Sequence, residues 1–191
     1  MLTIHRVQGV RPHADDLRET TTDLGHALVV DSSRIAAIGP YEELLARYGE
    51  QARVRTWDGV LTPGRYEPDA PALLDDTYWP DPREADALGS GPLTGEALAA
   101  LDMTGTRWGA SARRGLQRML ASGTTALAGP FRRPEVLTAV ERSGIRRLAV
   151  APERPLARSL TPSGAADFAV FAADGGCLVT VLGGRLVHRS R

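Results

Sequence analysis

Short apolar runs separated by tight turns, at both ends of the chain, most constrain its fold. Near the amino terminus, the runs at 27–30 and 34–38 flank Asp31-Ser32-Ser33, a pattern that is typical of a β-hairpin. Near the carboxyl terminus, runs at 168–171, 178–182 and 186–188 are separated by the glycine-containing turns at 174–176 and 183–184. Both ends are therefore predicted to be β structure.

The central part of the chain carries helix signals between further strands. Pro40 is suited to precede a helix at 41–48, and Gly49 is predicted to end it in the left-handed conformation. Further helices are predicted at 94–101, 107–122 and 134–143, with Gly123 and Gly144 ending the last two. Strands at 124–128 and 145–150 flank the last of these helices, so a parallel βαβ unit is expected.

Composition excludes several classes of function. The 23 basic and 23 acidic side chains cancel, so the broad positive surface of a nucleic-acid-binding protein is not expected. The pairs Arg113-Arg114, Arg132-Arg133 and Arg146-Arg147 are interpreted as solvated faces.

No apolar run approaches ~20 residues and the first residues lack the core of a secretory signal, so no membrane association and a cytoplasmic location are predicted. Cys177 has no cysteine partner and is predicted to be a buried, unreactive thiol.

Residues 65–86 combine prolines with acids and are predicted to be a loop, the least ordered part of the chain. The acids are Asp69, Asp75, Asp76, Asp81 and Glu84. Carboxylates suit calcium or magnesium, but their spacing fits no recognised cation loop, so solvated side chains are the favoured interpretation. Trp57, Trp79 and Trp108 are interpreted as core or interface residues, and Trp79 beside Tyr78 is the best candidate for a partner contact.

Several segments resemble the metal-dependent amidohydrolase superfamily, in particular its imidazolonepropionase-like and cyclic-deaminase-like branch. They are the stretch 27–64, which ends in Leu61-Thr62-Pro63-Gly64, the turn at 121–125, and the closing segments 166–171 and 180–187. The resemblance implies that the two ends of the chain join in a small composite β-sandwich, and that a metal-bearing (β/α)₈ barrel lies between them.

A full barrel does not fit between the two predicted halves of the sandwich. Eight βα units need ~250 residues, whereas the sequence offers only residues 65–164. The predicted fold class is therefore α+β, with a composite β-sandwich at 1–64 and 165–191 and a reduced α/β insert at 65–164, which consists of one βαβ unit plus helices.

The metal ligands that the resemblance implies are also missing. The superfamily's first-strand histidines would fall at Asp69 and Pro71, and proline has no side-chain donor. The four histidines, at positions 5, 13, 26 and 188, all fall in the predicted sandwich. No Gly-x-Ser-x-Gly elbow or phosphate-binding glycine loop is present. The sequence therefore assigns no catalytic, cofactor-binding or metal-binding residue, and no cofactor.

The leading prediction is a catalytically inactive, amidohydrolase-like protein that acts as a binding, scaffold or regulatory module. The alternative is a hydrolase of non-peptide carbon–nitrogen bonds, such as those of a cyclic amide or amidine, with ligands from Asp69, Asp75, Asp76 or a second subunit. A shortened barrel is also expected to leave the stripe of Trp108, Leu116 and Met119, or its strand edges, uncovered. A homodimer or a protein partner is therefore predicted, with no nucleic acid among the partners.

Overall fold

The computed structural model describes residues 1–14, 20–148 and 157–190. The chain divides into two units. The first is drawn from Met1–Arg65, Leu120–Thr125 and Pro152–Arg191, and the second from Tyr66–Met119 and Ala126–Ala151. Among the described residues, no helix combines the length and the apolar character that crossing a bilayer requires.

The described residues form fifteen strands. They are β1 (Leu2–Arg6), β2 (Gly9–Val10), β3 (His13–Ala14), β4 (Asp23–Leu24), β5 (His26–Asp31), β6 (Arg34–Pro40), β7 (Arg53–Thr56), β8 (Val60–Pro63), β9 (Arg65–Glu67), β10 (Thr124–Ala128), β11 (Arg146–Leu148), β12 (Arg158–Ser159), β13 (Phe168–Phe171), β14 (Cys177–Leu182) and β15 (Arg185–Arg189).

Six α-helices and one short 3₁₀-helix occur in the same described residues. The α-helices are α1 (Tyr41–Tyr48), α2 (Ala70–Asp75), α3 (Ala85–Leu88), α4 (Gly95–Ala99), α5 (Gly105–Ala121) and α6 (Pro134–Ser143), and the 3₁₀-helix is Pro82–Glu84.

Two mixed sheets form the larger part of the first unit. One has four strands in the order β6-β5-β1-β7, and the other has six in the order β15-β14-β13-β8-β2-β4. Strands β8 and β13 pair antiparallel, with Pro63 opposite Phe168. The segment that leads into the insert therefore lies directly beside the segment that leaves it.

One apolar core joins the two sheets. Leu28, Val30 and Ile35 come from the four-stranded sheet, and Leu61, Phe168, Val170, Val179 and Val181 come from the six-stranded sheet. The other face of β5 contributes Ala27 and Val29 to a second cluster with Ile4 and Leu44 of α1. Strand β5 is apolar on both faces because both faces are covered. The predicted composite β-sandwich is confirmed.

The second unit contains the predicted βαβ element. Strands β10 and β11 pair in parallel, α6 connects them, and β9 adjoins β10 in a three-stranded sheet. Gly144 adopts φ 75° after α6, as predicted for a left-handed cap. No barrel closes within the described residues, so the fold class is the predicted α+β arrangement with a reduced insert. Residues 149 and 150, the end of the predicted strand 145–150, lie outside the described residues.

The prediction of a loop at 65–86 is wrong. This segment contains β9, α2, the 3₁₀-helix and the start of α3. The prolines explain the error, because Pro71 lies in the first turn of α2 and Pro82 begins the 3₁₀-helix. Proline is favoured at these positions, where its missing N–H group has no helical partner to lose.

Three further local predictions need correction. Gly49 keeps right-handed angles, φ −59° and ψ −34°, because its N–H group still donates to Leu45 O in helical fashion. Cys177 is half-buried rather than buried, since it lies at the start of β14, where it contacts Thr180 Oγ1 at 3.4 Å. The stripe of Trp108, Leu116 and Met119 is buried within the chain and is not left uncovered.

Candidate functional site

The strongest candidate site lies beyond the carboxyl end of β10. All five residues of β10 are buried, and the chain then passes through a cis Gly129-Pro130 peptide to Arg132 and Arg133. Ligands in folds with parallel strands bind at the carboxyl ends of those strands, where connecting segments carry variable side chains. The segment after β10 therefore marks the end of the insert at which a ligand is expected.

Asp75, the last residue of α2, fixes this segment. Its side chain is fully buried. The backbone N–H groups of Arg132 and Arg133 donate to its two carboxylate oxygens, at 2.8 Å and 3.2 Å. The Nε–H group of Arg133 also donates to the backbone carbonyl of Asp75 at 2.9 Å. Asp75 therefore ties the end of α2 to the segment after β10, and each of its carboxylate oxygens accepts one backbone hydrogen bond.

A surface pocket of about 450 Å³ opens beside this contact. Its polar wall consists of Asp75, Asp76 and Arg133. The rest of the wall is Gly95, Leu98, Ala99, Leu101, Met103 and Trp108. The Arg133 guanidinium stacks on Trp108, with Cζ 3.8 Å from the ring centroid. Asp76 forms an ion pair with Arg132, and both of these side chains are more than half exposed.

A second pocket, of about 350 Å³, surrounds a network of charged side chains. Glu84 accepts from Tyr78 Oη–H at 2.5 Å and from Arg107 at 2.7 Å. The Tyr78 hydrogen bond, followed by the Asp81 backbone N–H and the Arg107 guanidinium, lowers the pKa of Glu84 to about 2, against a smaller opposing effect of burial. Burial is the largest cause that raises the pKa of Tyr78.

This network braces the 3₁₀-helix against α5. Arg114 Nε donates to Trp79 O at 2.7 Å, and its Nη1 donates to Asp81 Oδ2 at 3.4 Å. The side chains that could act on a substrate, Tyr78, Asp81 and Glu84, thus form hydrogen bonds within this network. We assign this cluster a structural role.

These contacts correct the sequence interpretation of the acids and arginines. Asp75 is buried, and Asp81 and Glu84 are paired with arginines, so they are not simply solvated. Arg114, Arg132 and Arg133 likewise make specific contacts within the chain. Tyr78 is buried and the Trp79 indole N–H donates to Leu73 O, so this pair is part of the fold rather than an exposed partner contact.

Sequence reasoning missed Asp75 and Arg133 as members of one site. They lie 58 positions apart, and nothing near either residue marks the other as a partner. One signal was available for Arg133. It follows the predicted strand 124–128, and the segment after a parallel strand is the expected place for ligand-binding side chains.

The described residues do not fit the catalytic metal that the resemblance implies. Asp69 is exposed at the amino end of α2, and Pro71 lies within that helix. The four histidines lie in β1, β3, β5 and β15. Nowhere in residues 1–14, 20–148 and 157–190 do three His, Cys, Asp or Glu side chains meet in a group that could hold a metal ion. A catalytic zinc needs about three protein ligands, and the described residues do not bring three such side chains together.

Comparison with known proteins gives one family match. Residues 27–50 match the imidazolonepropionase-like composite domain of bacteria. This segment covers most of the β5–β6 hairpin and α1. No curated protein matches the sequence.

Solved structures extend the likeness to the fold. An adenosine deaminase from Xanthomonas campestris with bound zinc is 17% identical with a TM-score of 0.50, and the match covers 76% of this chain and 33% of that one. Ochratoxinase from A. niger is 21% identical with a TM-score of 0.48, over 78% of this chain and 30% of that one. Guanine deaminase from E. coli is 15% identical with a TM-score of 0.49, over 78% and 35%.

The chain thus spans about a third of the length of the solved structures that it resembles. At these identities the likeness concerns the fold. Together with the match at residues 27–50, it confirms the predicted resemblance: residues 27–50 are similar to the imidazolonepropionase-like composite domain, and the sandwich with its reduced α/β insert is similar in fold to part of the zinc-containing adenosine deaminase.

Proposed function

We propose that this chain is a catalytically inactive, amidohydrolase-like protein that works as a small-molecule-binding module. Its ligand site is the pocket beside Asp75 and Arg133. The composite domain provides the framework, and the reduced insert provides the pocket. In this proposal the chain recognises its ligand and leaves it chemically unchanged.

The burial and hydrogen bonding of Asp75 are the observations that support the proposal. At the end of α2, beside the segment that follows β10, this buried carboxylate accepts from two backbone N–H groups. A metal ligand or a general base needs an accessible carboxylate oxygen with a lone pair directed at the metal or the reacting group. Each carboxylate oxygen of Asp75 instead accepts one backbone N–H group of the segment after β10, the side chain is buried, and no histidine lines the pocket. This arrangement favours binding over hydrolysis.

Zinc binding and turnover test the proposal together. The chain is freed of metal with a chelator, incubated with one equivalent of Zn²⁺, desalted and analysed for metal. Deamination of adenosine and of guanine is then followed by ultraviolet absorbance, with free Zn²⁺ as the blank. We expect far less than one zinc per chain and rates equal to the blank. Stoichiometric zinc with zinc-dependent turnover above the blank would refute the proposal.

The alternative function is hydrolysis of a non-peptide carbon–nitrogen bond at a metal site completed by a second subunit. The fold likeness to a zinc-containing adenosine deaminase, with a TM-score of 0.50, favours keeping this candidate. Its signature is a specific activity that rises with protein concentration as subunits associate. Specific activity that stays at the blank from low to high concentration excludes it for the substrates used.

We also propose association with a second copy or a protein partner. The stripe of Trp108, Leu116 and Met119 on α5 is buried, so the support comes from an edge strand instead. Strand β15 is an edge of the six-stranded sheet, and its Leu186 and Val187 are each 38% exposed. Unpaired edges with apolar side chains favour strand pairing between chains. Light scattering that finds a monomer at high concentration would contradict the homodimer.

The cytoplasmic location stays a prediction from the sequence.

A further inference from the structure

We propose that the pocket beside Arg133 selects ligands that carry a carboxylate group attached to a planar apolar body. This inference rests on the proposed function, since it names the class of molecule that the binding module takes. Arg133 is assigned as the residue that recognises the carboxylate, and the apolar wall is assigned to the remainder of the ligand.

The hydrogen bonds of the polar wall decide the charge of the ligand. Asp75 already accepts from two backbone N–H groups, and Asp76 is paired with Arg132. Arg133 donates through Nε to Asp75 O, whereas its terminal N–H groups have no hydrogen-bond partner among the residues that the structure describes. The wall therefore has unused N–H donors on the Arg133 guanidinium, whereas Asp75 and Asp76 each already accept hydrogen bonds from the chain. An anionic acceptor satisfies this arrangement better than a cation does.

The Arg133 guanidinium is held in place before any ligand binds. Its Nε–H bond to Asp75 O fixes one edge, and the Trp108 ring supports one face at 3.8 Å from Cζ. The planar fork of a guanidinium matches the two oxygens of a carboxylate and donates two parallel hydrogen bonds. A side chain that is already ordered loses less entropy when it binds. These features favour a carboxylate over a neutral acceptor.

The apolar wall limits the rest of the ligand. Leu98, Leu101 and Met103 line the pocket with Trp108, and the volume of about 450 Å³ lies within the range for small-molecule sites. Methionine is an adaptable neighbour for aromatic rings. A body about the size of one ring fits these dimensions, so benzoate is a suitable probe of the class.

Three probes of nearly equal shape and different charge test the inference. Benzoate, benzamide and benzamidine are titrated into the ¹⁵N-labelled chain, and the assigned Trp108 indole N–H cross-peak is followed at constant ionic strength. We expect benzoate to shift this peak saturably and to bind at least tenfold more tightly than either of the other probes. Equal affinity for benzamide, preference for benzamidine, or no saturable shift with benzoate would each overturn the inference.

Substitutions locate the effect in the pocket. Arg133→Gln is expected to weaken benzoate binding at least tenfold, and Arg133→Lys, which keeps the charge without the fork, severalfold. Because Arg133 also contacts Asp75, a second variant leaves that contact intact. Leu98→Trp fills the pocket and is expected to abolish binding, while Ala97→Trp, at an exposed neighbouring position that does not line the pocket, is the matched control. Unchanged benzoate affinity in Leu98→Trp would overturn the inference.

This experiment is separable from the test of the proposed function. Rejection of benzoate by a chain that shows no zinc-dependent turnover refutes the ligand class alone. Zinc-dependent turnover refutes the inactive binding module, whatever benzoate does.

Discussion

Replacement of the buried Asp75 carboxylate is expected to destabilise the insert strongly, because the carboxylate is the acceptor for two backbone N–H groups. A hydrogen bond to a charged group contributes about 1.5–3 kcal/mol, and a buried donor left without an acceptor costs about 1–3 kcal/mol. Asp75→Asn keeps one acceptor oxygen but turns an NH₂ group towards the second N–H. We expect it to lower the free energy of unfolding by about 2–3 kcal/mol.

Asp75→Ala removes both acceptors and leaves a small void. We expect a loss of about 3–5 kcal/mol, a large fraction of a typical domain stability of about 5–15 kcal/mol. Urea unfolding, followed by circular dichroism and tryptophan fluorescence, measures both variants. If the two units unfold in separate transitions, each transition is fitted by itself.

Asp76→Asn is the matched control for this experiment. The Asp76 carboxylate is 56% exposed and is paired with an Arg132 side chain that is 69% exposed. Such a pair contributes about 0–1 kcal/mol. The reasoning would be refuted if Asp75→Asn changed the unfolding free energy by less than about 0.5 kcal/mol, or if Asp76→Asn cost as much as Asp75→Asn.

Two further predictions concern the first unit. Gly64→Ala is expected to cost about 1–3 kcal/mol, because a Cβ atom would overlap the Thr125 side chain. Gly39→Ala, in the same unit and with nothing within 4 Å of the added Cβ, is the near-neutral control, and equal midpoints of urea unfolding would contradict this prediction. Burial, and secondarily Arg55, lower the pKa of His5 from 6.5 to about 4, so the unfolded chain takes up a proton that the folded chain does not, and stability falls by about 3 kcal/mol as pH drops from above 6.5 to 4. His5→Gln should remove that part of the difference between unfolding at pH 7.5 and at pH 4.5, and an unchanged difference would contradict the assignment.

The sequence predicted those elements whose signals are local. The run at 27–30 is bounded by a turn, and helix 134–143 begins with a proline and ends with a glycine in the left-handed conformation. Each pattern lies within a few residues of the element that it specifies. The composite sandwich was accessible only through the resemblance, because no local signal states that residue 63 pairs with residue 168.

The site was not predictable in the same way, because its contacts join distant parts of the chain. Asp75 looked like one of several acids among prolines, and its burial depends on backbone N–H groups 57 and 58 positions away. Arg133 looked like one member of a solvated pair, and its stacking on Trp108 depends on how α5 and the segment after β10 pack. Local composition is similar for a solvated acid and a buried one, so only the tertiary contacts separate them.

The adjacency of β8 and β13 has a consequence for how this architecture tolerates changes of size. Neighbouring strands are ~4.8 Å apart, so the polypeptide between Pro63 and Phe168 starts and finishes at almost the same place. The entropic cost of closing a loop between two such neighbouring positions grows only with the logarithm of the loop length. Segments of very different extent can therefore be spliced between these two positions while the hydrogen-bond register of the sheet stays intact.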